Sequence, residues 1–149
     1  MSEHRATIHW NRQGTEFVHT EYTRDHVWRF EGGSEVNASS APQYFGNEAH
    51  VDPERAFVAA LSSCHMLTFL SLAARDGFVI DEYVAEAVGI MERNGQKRIA
   101  ITRVVLRPTI LWCGDSPNQE QLDQLHEKAH KYCFIANSVT TRIEVESPA

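Results

Sequence analysis

Between Arg55 and Arg75 the chain contains no Asp, Glu, Lys or Arg, and no other stretch limits its fold as much. The run lies inside DPERAFVAALSSCHMLTFLSLAARDG, residues 52–77. Asp52 suits an N-cap, Pro53 the first helical position and Gly77 a left-handed C′ stop, so both ends of one long helix are written locally. Phe57, Leu61, Leu67, Phe69, Leu70 and Leu72 point to different sides of that helix, which predicts a helix wrapped by protein and not half in water. An uncharged run of this length also passes as a membrane span. Ser62, Ser63, His65, Thr68 and Ser71 interrupt it, and no second span or Lys/Arg-rich flank accompanies it. We therefore expect a buried helix of a soluble protein.

A length of 149 residues fits one domain, 1–149, and 42% apolar composition is enough for a real core. The opening MSEHRATIHW has no apolar h-region, so we expect no secretory signal and a cytoplasmic, reducing compartment for the three cysteines. An odd cysteine count argues against a disulfide scaffold. The net charge of −6, with no Lys/Arg cluster, leaves no electrostatic footprint for nucleic acid or an anionic membrane.

The first fifty residues read as a meander. RATIHW and TEFVHTEY are strand-like around the turn NRQG, and HVWRFEG and SEVNAS flank Gly32-Gly33, a two-residue hairpin signal. SSAPQYFGNEAHV is rich in turn formers and is expected as a loop, whose Tyr44 and Phe45 line a pocket or simply pack. After the long helix, VIDEYVAEAVGIME and RIAITRVVLRPTILW are two strands joined across Asn94-Gly95, with Pro108 marking an edge or a bulge. Ser116-Pro117 then opens a second, amphipathic helix to about Cys133, with Leu122, Leu125, Ala129 and Tyr132 as its apolar stripe. VTTRIEVE alternates as a last strand. Strands, helix, hairpin, helix, strand is the order of an α+β fold with antiparallel sheets.

The chemistry-bearing residues are few. His126-Glu127-Lys128-Ala129-His130 matches HExxH on a helix, where two histidines one turn apart bind zinc and the glutamate acts as general base. A third protein ligand is missing: Glu144 and Glu146 fall on the polar phase of the last strand. We expect packing or solvated histidines there, and no metal or other cofactor. Cys64 sits mid-helix, with Phe57, Ala60, Leu61, Leu67, Thr68 and Ser71 sharing its face. Cys133 ends the second helix, and Cys113 lies in the turn-rich WCGDSP. None has CxxC spacing. Cys64 and Cys133 suit a peroxide-reducing dithiol, in which one thiolate becomes sulfenic acid and the other closes a disulfide. They equally suit two inert core cysteines.

Larger patterns add to this. Asp52-Pro53-Glu54 with Cys64 ten residues after the glutamate, AALSSC leading to it, and Cys133 ahead of IANSVTTRIEVE together resemble the OsmC/Ohr family, the osmotically induced and organic hydroperoxide resistance proteins. The likeness runs from His9-Trp10 to the terminal strand. It implies an intertwined homodimer with sites at the interface, and a cysteine-dependent peroxidase that takes a small organic hydroperoxide and is recycled by a lipoyl- or thioredoxin-type dithiol. By motif, Cys64 matches the peroxidatic cysteine, Cys133 the resolving one and Glu54 the family's glutamate. The family also uses an arginine from the N-terminal sheet region, for which Arg24 in YTRDH is our choice, with Arg29 close behind. His65 departs from the aromatic or apolar residue that often follows the cysteine.

These implied roles are physically coherent. Attack on a peroxide oxygen needs thiolate, and burial raises a thiol's pKa, so a nearby cation is required. Arg24 would supply it by forking onto thiolate and Glu54 together. Glu54 and Cys64 are about 15 Å apart along one helix, so a shared site would take two subunits. Two readings stand: a thiol peroxidase for apolar hydroperoxides, and a non-catalytic dimeric stress or small-molecule-binding protein in which the cysteines only pack. A cysteine-histidine hydrolase is weaker, because no oxyanion-hole or orienting residue is assignable.

Overall fold

A computed structural model describes residues 1–146, which form two compact units, Met1–Ala56 and the described residues from Phe57 onward. The first holds a three-stranded antiparallel sheet of β1 (Ala6–His9), β2 (His26–Phe30) and β3 (Glu35–Ala38), with β2 in the middle. β2 and β3 are joined by a tight turn over Glu31-Gly32-Gly33, closed by a 2.9 Å bond from the Phe30 amide to the Ser34 carbonyl. It has three residues, not the two expected.

TEFVHTEY, expected as a strand, is a run of turns instead, and β1 pairs directly with β2 in the register Ala6↔Phe30 to His9↔Val27. The reason is aromatic packing. The amides of Glu21 and Tyr22 both turn back onto the Val18 carbonyl, which brings Tyr22 and Phe17 to a ring separation of 5.1 Å beside Trp10. The Trp10 indole NH donates to the Thr23 carbonyl at 2.8 Å. Three clustered rings outweigh a weakly alternating pattern.

The loop that follows carries a single 3-10 turn, Pro42–Tyr44. Its end ties back to the sheet, since the Ser39 amide donates to Val51 and the Val51 amide to Asn37. Asp52 then caps α1 (Pro53–Arg75) as expected, its carboxylate accepting from the Arg55 amide at 2.8 Å. Burial alone would raise the Asp52 pKa, but bonds from the Arg55 backbone and guanidinium outweigh it and hold the carboxyl below its ordinary value. At the other end Gly77 takes φ 86°, and the amides of Gly77 and Phe78 return to Ala74 and Ala73 in a Schellman motif.

In the second unit β4 (Ile80–Arg93) and β5 (Ile99–Trp112) form a long antiparallel hairpin. Its turn is not the two-residue Asn-Gly type, because Lys97 rather than Gly95 takes the left-handed conformation, at φ 62°. Asn94 explains this: its side-chain oxygen accepts from the amides of Gln96 and Arg98 and holds a longer loop. β6 (Arg142–Val145) pairs with β5 over Arg103–Leu106, and does so in parallel, whereas every other pair of named strands is antiparallel. Pro108 lies beyond Leu106, the last β5 residue paired to β6 among the described residues, and faces Ala85 of β4 on the other side.

α2 (Gln119–Tyr132) begins at a capping box in which the Asn118 side chain accepts from the Gln121 amide, at 2.9 Å, and the Gln121 side chain from that of Asn118. Asn118 thus displaces the expected Ser116-Pro117 start. Leu125 and Ala129 are buried with Phe69 and Ala73 of α1, with Leu122, Phe78 and Trp112 around them. Tyr132, expected on the same stripe, is exposed. Leu61 forms a second cluster with Val104 and Leu106, bounded by Val58, Ile135 and Ile143. Burying Leu61 and Phe69 contributes roughly 1.5–3 kcal/mol each.

α1 is long and apolar enough to cross a membrane, yet Leu61, His65, Phe69 and Ala73 recur every fourth residue and pack into these clusters, so it is a core helix of an α+β fold. Its wrapping is incomplete. Ala60, Ser63, Ser71 and Ala74 are exposed, and Leu67 keeps 60% of its surface bare.

Candidate active site

The candidate site is built on two helix positions. Cys64 is half-buried in the middle of α1, and Cys133 is the C-cap of α2, where the chain leaves the helix at ψ 114° and enters a short 3-10 turn, Ala136–Ser138. Ile135 and Ala136 pack in the Leu61 cluster, which pins the turn and keeps Cys133 fully enclosed. The fold thereby brings together two cysteines 69 residues apart, near enough for Cys64 to shift the titration of the Cys133 thiol.

Electrostatics separate the two. Burial, then the neighbouring Cys64, push the Cys133 thiol up to about 11, against a smaller lowering by the Ala136 amide, which donates to its sulfur at 3.4 Å. Cys133 is therefore a thiol at neutral pH, and Cys64 is the more accessible residue of the two. Cys113, by contrast, is exposed on the segment after β5.

Next to Cys64 on α1, His65 is fully buried and meets His126 of α2. His65 Nε2 and His126 Nδ1 are 3.0 Å apart, with the ring planes within 10° of parallel. Phe69 lies against His126 at a ring separation of 4.5 Å. Burial is the main reason both histidines are lowered to about 4; His65 is lowered further by His126 and His130, while Asp123 opposes the shift at His126. Both are neutral at pH 7, so one ring donates and the other accepts.

The HExxH pattern thus resolves into a packing histidine, His126, and an exposed His130 and Glu127. Among the described residues no group of three or more His, Cys, Asp or Glu side chains is arranged to hold a metal ion.

The remaining expected residues lie in the first unit. Arg24 donates to the carbonyls of Tyr22, at 2.6 Å, and His19, and its guanidinium stands 3.6 Å over the Tyr22 ring and 5.1 Å from that of Phe45. Among the described residues that cation is held by a cation–π contact and carbonyl bonds and by no carboxylate. Arg29 differs. It is tied to Glu35 at 2.6 Å on the exposed sheet. Glu54 is half-buried in the first turn of α1, two residues after the capping Asp52.

Sequence reasoning missed the His65–His126 contact. A signal was present: His126 is four residues after Leu122 and three before Ala129, hence on the apolar stripe of α2.

Comparison with known proteins fits this arrangement. The sequence matches the family of OsmC-like proteins over residues 46–147. The structure is similar to that of an OsmC-like protein of unknown function from Vibrio cholerae, 46% identical, with a TM-score of 0.95 covering 99% of this chain and 100% of that one. It is also similar to an organic hydroperoxide resistance protein from Elizabethkingia anophelis, 19% identical, TM-score 0.72, covering 99% and 94% of the two chains. Another from Legionella pneumophila is 16% identical, TM-score 0.71, covering 99% and 96%. At those two identities the likeness is one of fold. No curated protein matches the sequence.

Proposed function

The chain belongs to the OsmC-like family, and from that premise we propose that it is a cysteine-dependent peroxidase that reduces organic hydroperoxides to alcohols. The observation that carries this reading is the meeting of Cys64 and Cys133 across two helices, one sulfur accessible and the other enclosed and protonated. Two inert core cysteines would not need such a division.

The reaction runs in two balanced steps. The Cys64 thiolate attacks one oxygen of ROOH; the O–O bond breaks, RO⁻ takes a proton and leaves as alcohol, and Cys64 becomes a sulfenic acid. Cys133 then attacks the Cys64 sulfur, the S–S bond forms, and the sulfenic hydroxyl leaves as water with the Cys133 proton. A dithiol reductant of lipoyl or thioredoxin type reopens the disulfide. The first step needs a cation near the thiolate. Arg24 is favoured over Arg29, because Glu35 already neutralises Arg29. Glu54 is the carboxylate that would orient that guanidinium.

A homodimer completes the proposal. The bare, uncharged face of α1 that includes Leu67 is apolar surface a second subunit would cover, and Glu54 and Cys64 lie too far apart on one helix to serve one site within a single chain. No ionic attraction to nucleic acid or membrane is invoked, and the compartment we propose is the cytoplasm.

The test is stopped-flow oxidation by cumene or tert-butyl hydroperoxide with mass spectrometry of the products. Cys64→Ser should abolish peroxide consumption, and Cys133→Ser should react once, leaving a trappable sulfenic acid that over-oxidises. Cys113→Ser should behave as the parent. Peroxide consumption at the parent rate by Cys64→Ser would refute the proposal.

A further inference from the structure

We propose that His65 and His126 form a positioning clamp that holds α1 and α2 in the one register that lets Cys133 close a disulfide on Cys64. The inference rests on the peroxidase reading for its biological purpose, but the clamp is a property of the dithiol itself.

Its basis is the way the helices meet. Phe69 and Ala73 face Leu125 and Ala129 through apolar contacts alone. Such contacts are non-directional and tolerate small slides and rotations. Among the described residues the bond between His65 Nε2 and His126 Nδ1, at 3.0 Å, is the one hydrogen bond between Pro53–Arg75 of α1 and Gln119–Tyr132 of α2. A directed bond within an enclosed core fixes both the axial position and the rotation of each helix, the role best attested for buried polar groups.

The clamp is also placed where rotation matters most. His65 directly follows Cys64 on α1, and His126 lies two turns before Cys133 on α2. Turning α1 by one residue's worth, about 100°, would carry the Cys64 sulfur away from Cys133 altogether. Among the described residues His65 Nδ1 is buried without a partner, a cost that two apolar side chains in these positions would avoid. The clamp touches neither peroxide nor the reacting sulfurs, so both histidines are positioning residues.

The experiment compares His65→Leu, which removes the bond, with His65→Gln, whose amide nitrogen stands where Nε2 was. Each protein is equilibrated in glutathione redox buffers, and the effective concentration of Cys133 toward Cys64 is read from the fraction of disulfide. We expect His65→Leu to lose about tenfold, the scale of one directed hydrogen bond, and His65→Gln to stay within about twofold of the parent. With peroxide present, His65→Leu should slow disulfide closure by the same factor while the loss of the first thiol changes by less than about twofold. If His65→Leu does not fold, His126→Leu and His126→Asn make the same comparison from α2. Parent-like disulfide stability in the folded leucine variants would overturn the clamp. So would equal losses in leucine and amide variants, which would reduce the histidines to packing. A parent protein inert to peroxide would instead overturn the peroxidase reading and leave the glutathione comparison intact.

Discussion

Gly89 on β4 lies directly beneath Val58 of α1, and Gly89→Ala is therefore a sharp perturbation of the helix seat. A Cβ at that position would lie 2.6 Å from Val58 Cγ2 and 3.4 Å from Ile101 Cγ2. The first distance is 0.8 Å inside the 3.4 Å at which ordinary contact begins, and Val58 is β-branched with a stiff χ1, so it has no long side chain to swing aside. Overpacking of this kind costs about 1–3 kcal/mol, partly offset by the roughly 0.5–1 kcal/mol that a strand gains when glycine becomes alanine. We expect a net loss of about 1–2 kcal/mol, which lowers Tm by about 2–8 °C in a chain of this size. Val58→Ala removes the obstructing methyls, so in that background Gly89→Ala should become neutral or slightly stabilising. Urea denaturation of the four proteins closes a double-mutant cycle whose coupling should be about 1–2 kcal/mol. If Gly89→Ala costs the same with and without Val58, the helix is not seated on that glycine and the reasoning fails.

Three further outcomes follow from the same structure. Because both histidine pKa values are depressed in the fold, from 6.5 to about 4, unfolded histidines bind protons that folded ones refuse; the contribution is complete above 6.5 and is lost as the pH falls through about 4, by up to about 3 kcal/mol for each. Denaturation midpoints should fall between pH 7 and 5 in the parent and fall much less in the double variant His65→Leu/His126→Leu; equal slopes would contradict this. Arg24→Ala should slow the first oxidation step by tenfold or more and Arg29→Ala by less than about twofold, since a full cation beside a thiolate is worth more than one pK unit; stopped-flow rates that rank them the other way would exchange their roles. Leu67→Glu should convert a sedimenting dimer into monomer or unfolded chain, and a parent that sediments as a folded monomer at micromolar concentration would remove the dimer from the proposal.

Much of this fold was legible locally. Asp52 and Gly77 bracket α1 because caps and C′ glycines act on their own turn, and the β4–β5 pair follows from its length and turn. What escaped reading depends on distant partners. TEFVHTEY has the composition of a strand, but whether Phe17 and Tyr22 pack on Trp10 is decided by tertiary contact. Alternation in VTTRIEVE reports a strand without its direction, so the parallel pairing of β6 leaves no trace in its pattern. At the site the two cysteine types and positions were readable, whereas the meeting of His65 with His126 links residues 61 apart and required the packed helices. Arg24 and Arg29 look alike in sequence; only Glu35, across the sheet, distinguishes them.

The parallel pairing of β6 bears on the order of assembly. An antiparallel hairpin such as β4–β5 closes through its own turn, at little entropic cost, while a parallel neighbour must wait for the intervening chain to cross the sheet. Here that crossing is α2 with Cys133 and the turn after it, so the expected order has β6 docking last and opening first. Ile143 and Val145 share a cluster with Ile135 and Ala136, which makes the enclosure of Cys133 one of the final events of folding. During synthesis the thiol is accordingly open to small oxidants until the last strand is in place. Pulsed alkylation during refolding should label Cys133 until β6 amides become protected from exchange, and protection of the thiol before those amides would reverse the order.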